Sequence, residues 1–377
     1  MRLLTVTHFF ESHGGGIERV AGELCRALAR AGHQMTWAAS HADEVRGDLQ
    51  IEPLPLTCIN PTERLNGLPM PIPTPRALAA LSRAVSAADV VIVHDALYLT
   101  SLAAAWSARR QGKPLILIQH IAAIPFASAV MRRVMSLANT LVTIPMLRAA
   151  DQVIFISDTV RSDFAHVPMR RAPKLLFNGV DTDLFSPGHQ TRAAFGLPEN
   201  GVVAAFVGRF VEKKGVSILR EVARMRPDIN FALAGAGPID PAEWGLPNVH
   251  ILGRLGRGAV ADLFRSADFL LLPSIGEGYP LVIQEAMACG LPVVCGEQSA
   301  RADPKAATWL RGVEVDLANP ALTAGCVINA IDEIRFDHVG RREMAAYAAS
   351  AYDWTGMAAE IVQIACSLTH ASRLAST

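Results

Sequence analysis

The chain of 377 residues is 51% hydrophobic and 19% charged, which excludes a disordered chain, and its length exceeds what one hydrophobic core serves, so two domains are expected. Lys plus Arg and Asp plus Glu both number 35, so net charge points to no nucleic acid and to no other charged partner. The six cysteines form neither metal-ligand pairs nor a disulfide pattern and read as reduced thiols of a cytoplasmic protein.

The opening RLLTVTHFF is a short apolar run with the character of a buried strand, too short for the apolar part of a signal peptide. ESHGGG follows, then IERVAGELCRALARAG, in which Ile17, Val20, Leu24, Leu28 and Ala31 recur at helical spacing before Gly32 stops the helix. With HQMTWAAS as the next strand, this is the opening of a doubly wound α/β domain. A proline-rich connection from Pro53 to Pro75 reads as an irregular excursion. ADVVIVHD, PLILIQH and DQVIFIS are further strands, and LYLTSLAAAWSARRQG is a helix. From Ala96 to Ala150 there is no acidic residue, while Arg109, Arg110, Lys113, Arg132, Arg133 and Arg148 fall there, so residues 96–150 offer one basic face. Within them VMSLANTLVTIPML (134–147) is interrupted by Pro145 and polar residues and is no transmembrane helix. The turn-rich FNGVDTDLFSPG (177–188) closes a first domain of residues 1–187.

A second alternating series then begins. GVVAAFVGRF is a strand, followed by a basic turn and the helix GVSILREVARM. NFALAGAG, VHILGRL, DFLLLPS and LPVVCGE are strands; ADLFRSA and the segment after EGYP are helices. This defines a second doubly wound domain over 188–352, and the amphipathic tail over 353–377 is expected to pack back on the first domain. Tandem doubly wound domains carry their binding crevices at the carboxyl ends of their strands.

Three stretches carry chemistry. In VGRFVEKKGVS, Arg209 and Lys214 lie in a turn between strand and helix, where backbone N–H groups and the helix dipole favour an anion; the guest that fits is a phosphate or diphosphate, and the competing reading is a solvated basic turn. In EGYPLVIQE, Pro280 suits the first turn of a helix, Glu277 precedes that helix and Glu285 lies within it. Two carboxylates flanking a helix start fit a ligand with hydroxyls at both ends and phosphate between them, as in a nucleotide sugar; the same spacing also fits a capped helix with exposed acids. The GGG after the first strand lets a ligand approach the backbone, and His120 ends a strand where doubly wound domains bind ligands, although a lone His is often structural.

Together GGGIERV, GRFVEKKG, LAGAGP, LGRL and EGYPLVIQEAMACGLPVV resemble the retaining glycosyltransferases of family 4, whose GT-B architecture is two Rossmann-like doubly wound domains facing across a cleft. The resemblance implies that Arg209 and Lys214 bind the donor diphosphate and that Glu277, the first Glu of the E-x7-E motif, contacts the donor sugar. It places the backbone of Gly278, Tyr279, Pro280 and Leu281 by sugar and phosphate, and Glu285 on the ribose. Gly15 and Gly16 fall near donor phosphate and acceptor, His120 at the reaction centre, and the backbone of Arg254 and Leu255 by the base. Ile121 and Ala122 stand where the family often has Gly after that His.

On this basis the expected activity is transfer of a hexosyl unit, with retention, from a UDP- or GDP-linked sugar to a glycan or lipid-linked acceptor in polysaccharide or glycolipid synthesis. No cofactor and no metal are expected, because no carboxylate cluster is visible; Arg209, Lys214 and the helix start at Pro280 would stabilise the leaving group instead. Residues 96–150 suit the surface of an anionic membrane on the cytoplasmic face or, alternatively, a helix pair packed inside the first domain. Rival readings are a nucleotide-sugar epimerase, a glycan phosphorylase and a non-catalytic nucleotide-sugar-binding protein. An NAD-dependent dehydrogenase is disfavoured because the first strand is followed by no complete G-x-G-x-x-G.

Overall fold

The computed structural model describes the chain except residues 42–47, 49, 61–69, 123–128, 189–191, 335–337 and 375–377. The chain divides into two units: unit 1 is Met1–Gly179 with Trp354–Thr377, and unit 2 is Val180–Asp353.

Unit 1 is built on a parallel sheet of β1 (Arg2–Phe9), β2 (Gln34–Ser40), β3 (Ile51–Leu56), β6 (Val90–His94), β7 (Leu115–Gln119), β8 (Gln152–Phe155) and β9 (Lys174–Leu175), in the spatial order β3-β2-β1-β6-β7-β8-β9. The central strands are apolar without alternation because both faces are covered. Leu4, Val6, Val91, Val93, Leu115, Leu117, Val153 and Phe155 share one face of the sheet at the strand period of two. They bury against Leu81 and Val85 of α2 (Pro75–Ala87), Ala104 and Ala108 of α3 (Leu99–Arg110), and Met146 and Leu147. Across the sheet from them lies α1 (Gly16–Arg30), packed on the C-terminal helix Trp354–Leu374. That helix also bonds to unit 1 through Arg171 to Ser367 Oγ at 3.1 Å.

The proline-rich connection is more ordered than expected. It includes edge strand β3, in which Pro53 pairs with Trp37 and Pro55 with Ala39. Proline is tolerated there because an edge strand needs its N–H on one side only. It continues into an antiparallel pair, β4 (Cys58–Ile59) with β5 (Ile72–Pro73). Residues 61–69 of the excursion lie outside the described part. In the acid-free stretch, α4 (Ala129–Ala138) runs through a π-helical turn (Asn139–Thr143) into α5 (Ile144–Ala149). Pro145 follows the π turn inside this continuous helical run, where its missing N–H interrupts the regular i→i−4 ladder. Asn139 Nδ2 ties the turn to Ala122 O at 2.6 Å. Among the described residues no helix is long and apolar enough to cross a membrane.

Unit 2 repeats the plan. β10 (Val202–Val207), β11 (Ile229–Ala234), β12 (Val249–Gly253), β13 (Phe269–Leu272), β14 (Val293–Gly296) and β15 (Leu310–Val313) form a parallel sheet in the order β12-β11-β10-β13-β14-β15. In both sheets the first strand stands inside and the order reverses beside it, between β1 and β6 and between β10 and β13; such switch points open a crevice at the carboxyl ends of the strands. β15 and the helices Pro320–Asp332 and His338–Ala351 carry no motif and are absent from the sequence-based outline. The division between units falls at Gly179, before the expected 187, because 181–187 is bound into unit 2. Arg265 donates to Leu184 O (2.6 Å) and Ser186 O (2.8 Å), and Phe185 is buried beside Phe264.

At the unit 2 switch point, the turn after β10 ends in Gly215, which opens α6 (Val216–Met225) with φ +74°. A Cβ there would stand 2.2 Å from Pro273 O at the end of β13. Gly215→Ala is therefore expected to lower stability by about 2–4 kcal/mol, the sum of a left-handed side chain and a backbone clash. Urea denaturation checks this, and a midpoint matching the wild type would mean the two loops can separate without loss.

Candidate active site

The cationic end of unit 2 is assembled from two loops. The one after β10 carries Arg209, Lys213 and Lys214; the one after β13 carries Ser274, Glu277 and the start of α7 (Leu281–Ala288). Ile275 N donates to Lys213 O at 2.9 Å, so backbone joins them. Lys214 Nζ lies 2.6 Å from Glu277 Oε1, both side chains largely buried, and Ser274 Oγ donates to Glu277 Oε2 at 3.3 Å. Arg209 is exposed. The Lys213 amino group is held below the ordinary lysine range, first by burial and then by the charges of Lys214 and Arg209, against the pull of Glu277. Three cations thus share one place with one carboxylate, and the local excess is positive. The first-turn N–H groups of α6 and α7 face the same edge, and neither helix has a side-chain cap.

The expected residues separate by what their side chains can reach. Lys214 and Glu277 are brought together. Glu285 is buried one turn into α7. The Tyr279 ring turns into the interior, where its hydroxyl meets Tyr352 Oη at 2.8 Å; Tyr352 and Tyr347 donate to Asp303 Oδ2 at 2.8 and 2.6 Å. Tyr279 can therefore offer a ligand its backbone alone. Arg254 and Leu255 follow β12, beyond Gly253 O, which accepts from Gly235 N at 2.7 Å. Sequence reading missed Lys213, although the Lys-Lys doublet was its signal.

The switch point of unit 1 is a polar cluster of a different kind. Gly15 caps α1, and a Cβ on it would lie 2.0 Å from Glu18 Oε2, because the Glu18 side chain folds back over the helix start. A Cβ on Gly16 would meet open space. Glu18 Oε1 pairs with His8 Nε2 at 2.8 Å; burial works to raise its pKa, but the His8 hydrogen bond and charge hold it below the usual carboxylate value. The His8 ring stacks on Tyr98 with centroids 3.7 Å apart. His120 is 3% exposed, and its Nε2 meets His94 Nδ1 at 2.9 Å. The expected reaction-centre histidine is thus buried, with Nε2 engaged by a second imidazole. Burial, then the charge of His8, pushes the His120 pKa down to about 3, and burial holds His94 well below its ordinary value, so both rings are neutral. Asp95, at φ +57°, accepts from His120 N (2.8 Å) and Ile121 N (3.4 Å) through Oδ1, and burial raises its carboxyl to about 7. Asp95 Oδ2, His8 Nδ1 and His94 Nε2 are buried without a protein partner. His8, Glu18, His94 and Asp95 were missed; the polar residues ending the strands TVTH and VIVHD were the available sign. Among the described residues no three His, Cys, Asp or Glu side chains are placed to hold a metal ion.

Two doubly wound units with a phosphate-suited cationic edge define a class that the family models specify. Residues 14–184 match the model of Glycosyltransferase Family 4, and residues 201–333 match that of Glycosyl transferases group 1. The chain belongs to the family 4 glycosyltransferases, with the GT-B fold. It is 37% identical over 134 residues to D-inositol 3-phosphate glycosyltransferase of Mycobacterium leprae and 36% identical over 134 residues to that of Mycolicibacterium smegmatis. Each match spans 31% of this chain and 30% of the relative. Among solved structures, sucrose-phosphate synthase from Thermosynechococcus elongatus superposes with a TM-score of 0.76 at 18% identity, covering 98% of this chain and all (100%) of that one. Anabaena HepE in complex with UDP gives 0.72 at 19%, covering 97% and 100%. WaaG, a glycosyltransferase involved in lipopolysaccharide biosynthesis, gives 0.66 at 16%, covering 97% and 99%. At these identities the superpositions establish the fold.

The buried His120 makes stability depend on pH. Its pKa is lowered in the fold, so between about 6.5 and 3 the unfolded chain binds the extra proton and stability is lost as pH falls. Relative to wild type, His120→Asn is expected to lose about 3 kcal/mol less on going from pH 7.5 to 4.5, read from urea midpoints at the two pH values. Parallel pH profiles for the two proteins would contradict a neutral, buried His120.

Proposed function

We propose that the protein transfers a hexosyl unit, with retention, from a nucleotide diphosphate sugar to a glycan or lipid-linked acceptor. The observation that carries this reading is the crowding of Arg209, Lys213 and Lys214 around Glu277 at the carboxyl edge of β10 and β13. An excess of positive charge beside two helix starts without side-chain caps suits a diphosphate, and the negative charge that grows on it as the glycosidic bond breaks. In this reading Arg209 and Lys214 stabilise the leaving group, no metal or cofactor is needed for that role, and Glu277, aligned by Lys214 and Ser274, holds a sugar hydroxyl. Glu285 takes the ribose, and the backbone of 278–281 and of Arg254 and Leu255 borders sugar and base. Gly16, with open space where a Cβ would be, gives the acceptor or donor phosphate close access to the α1 start. The UDP and UDP-glucose complexes of the similarly folded HepE support a nucleotide sugar as the donor.

Two glutamates with these roles do not make the nucleophile and acid pair of a double displacement, which requires carboxyl groups about 5 Å apart across the sugar. Retention then follows from attack on the face the leaving group departs, with a phosphate oxygen accepting the acceptor's proton. His120 orders the polar cluster of unit 1 in this scheme and transfers no proton itself.

Lys214→Ala is expected to reduce transfer kcat by about 10²–10³-fold while the protein stays folded. Transfer near the wild-type rate at saturating donor would remove Lys214 from the leaving group. Glu285→Ala is expected to weaken nucleotide binding by about tenfold with a smaller effect on kcat, because a charged hydrogen-bond acceptor is lost. Unchanged affinity by titration calorimetry, with the variant's fold intact by circular dichroism, would reject the ribose assignment.

A further inference from the structure

The loop after β13 in unit 2 has an interior side that the proposed reaction does not use. Tyr279, two residues beyond Glu277, is buried, with its hydroxyl 2.8 Å from Tyr352 Oη and 3.6 Å from Met287 Sδ. Tyr352, also buried, follows the helix His338–Ala351 and donates to Asp303 Oδ2 at 2.8 Å. A phenol has one hydrogen to give, so with the Tyr352 hydrogen on Asp303 the bond between the two tyrosines is donated by Tyr279. Tyr279 to Tyr352 to Asp303 is then a chain of one direction, in which each bond polarises the next. Burial pushes both phenols well above the ordinary tyrosine range, which keeps them protonated. The far end of the chain is fixed. Asp303 is buried, its Oδ1 accepts from Lys305 N at 3.0 Å, and its Oδ2 accepts a second bond from Tyr347 at 2.6 Å. The middle is fixed as well. Tyr352 N donates to Ala348 O at 2.9 Å and Tyr352 O accepts from Val180 N at 2.7 Å, beside the bridge that pairs Val180 with Asp353. The near end is different: Gly276, at φ +66°, and Gly278 flank Glu277, and glycines restrict a backbone least. Tyr279 is the first side chain after them. A phenylalanine ring would fill the same space, so what the hydroxyl adds is direction.

We propose that Tyr352 and Asp303 are positioning residues for the sugar end of the donor: through the Tyr279 hydroxyl they set the backbone of 277–281, and with it the place of Glu277. The inference rests on the proposed reading, in which 277–281 border the sugar while Arg209, Lys214 and Glu285 hold the nucleotide diphosphate. The network therefore separates ligands that carry the sugar from ligands that lack it. Cutting it weakens a nucleotide sugar and spares the bare nucleotide, whereas a network with a merely structural role would weaken both or neither.

Titration calorimetry on the full chain, with UDP-glucose against UDP and GDP-mannose against GDP, tests it, together with amide hydrogen exchange over residues 274–283 of the ligand-free protein. Tyr279→Phe and Tyr352→Phe are each expected to weaken the nucleotide sugar by about fivefold, the net worth of one buried hydrogen bond, and to leave the nucleotide within about twofold of wild type. Exchange over the loop should rise in both. The double variant should lose no more than Tyr352→Phe alone, because both cuts fall in one chain. Tyr347→Phe removes a bond to Asp303 that does not lead to the loop. It is expected to lower the thermal midpoint as the other two do, with the affinity ratio and the loop's exchange at wild-type values. Unchanged exchange in Tyr279→Phe, equal weakening of nucleotide and nucleotide sugar, or a Tyr347→Phe effect on the ratio as large as that of Tyr279→Phe would each overturn the proposal. Wild type that binds neither nucleotide sugar would sink the donor reading and this inference with it. Wild type that binds one of them, with an affinity ratio the variants do not alter, sinks this inference alone.

Discussion

The contact between Lys214 and Glu277 decides what the cationic end of unit 2 can be. The two side chains are largely buried and 2.6 Å apart, and they come from the loops on either side of the switch point. Without Glu277, three cations would crowd one another in a partly dehydrated place; without Lys214, a buried carboxylate would be left without its counter-charge, and either loss is costly. The pair also has a structural footing. Ile275 N reaches Lys213 O, and Gly215 lies under Pro273 O so closely that any side chain would force the loops apart. Backbone packing brings the loops together, the ion pair fixes the side chains, and Arg209 and Lys213 add basic groups beyond that pair.

The two units use one topology for opposite electrostatics. At the unit 1 switch point burial keeps His94 and His120 neutral and raises the Asp95 carboxyl, while Glu18 keeps its charge through His8. The result is a close-packed network in which Asp95 Oδ2, His8 Nδ1 and His94 Nε2 have no protein partner. At the unit 2 switch point three basic side chains gather around one carboxylate. The same strand order, with its crevice at the same end of the sheet, thus carries two differently charged clusters.

How much of this was legible in the sequence follows from what kind of signal each part leaves. The strands around each switch point are uninterrupted apolar runs, and the loops after them hold Gly, Pro and charge, so the doubly wound plan and the positions of Arg209, Lys214, Glu277 and Glu285 could be read directly. Strand β3 was hidden by Pro53 and Pro55, which argue against a central strand but not against an edge. β15 and the two helices after it carry no motif, and their period competes with loop-like composition. The unit boundary was misplaced because turn residues mark a turn, whereas only Arg265 and Phe185 show to which unit the turn is bound. The His8–Glu18 and His94–His120 pairs were illegible for a different reason: residues ten and twenty-six positions apart meet only once the sheet has formed.

The run EGYPLVIQE shows how a single segment serves two sides. Glu277 faces the cations of the neighbouring loop, while two residues on Tyr279 turns inward to a network in which Asp303 accepts two phenolic hydrogen bonds. A buried carboxylate so supplied is satisfied without a cation, and the network holds the Tyr279 hydroxyl between Tyr352 Oη and Met287 Sδ, where an apolar side chain would leave the loop only loosely specified. Pro280 then starts α7 with its φ already set, and Glu285 follows one turn later inside the helix. The distance between the two glutamates is therefore held by an anchored ring, a restricted proline and a helical turn in sequence. In the proposed reading, a donor bridging the two glutamates meets groups already spaced before it arrives, with little ordering entropy left to be lost on binding.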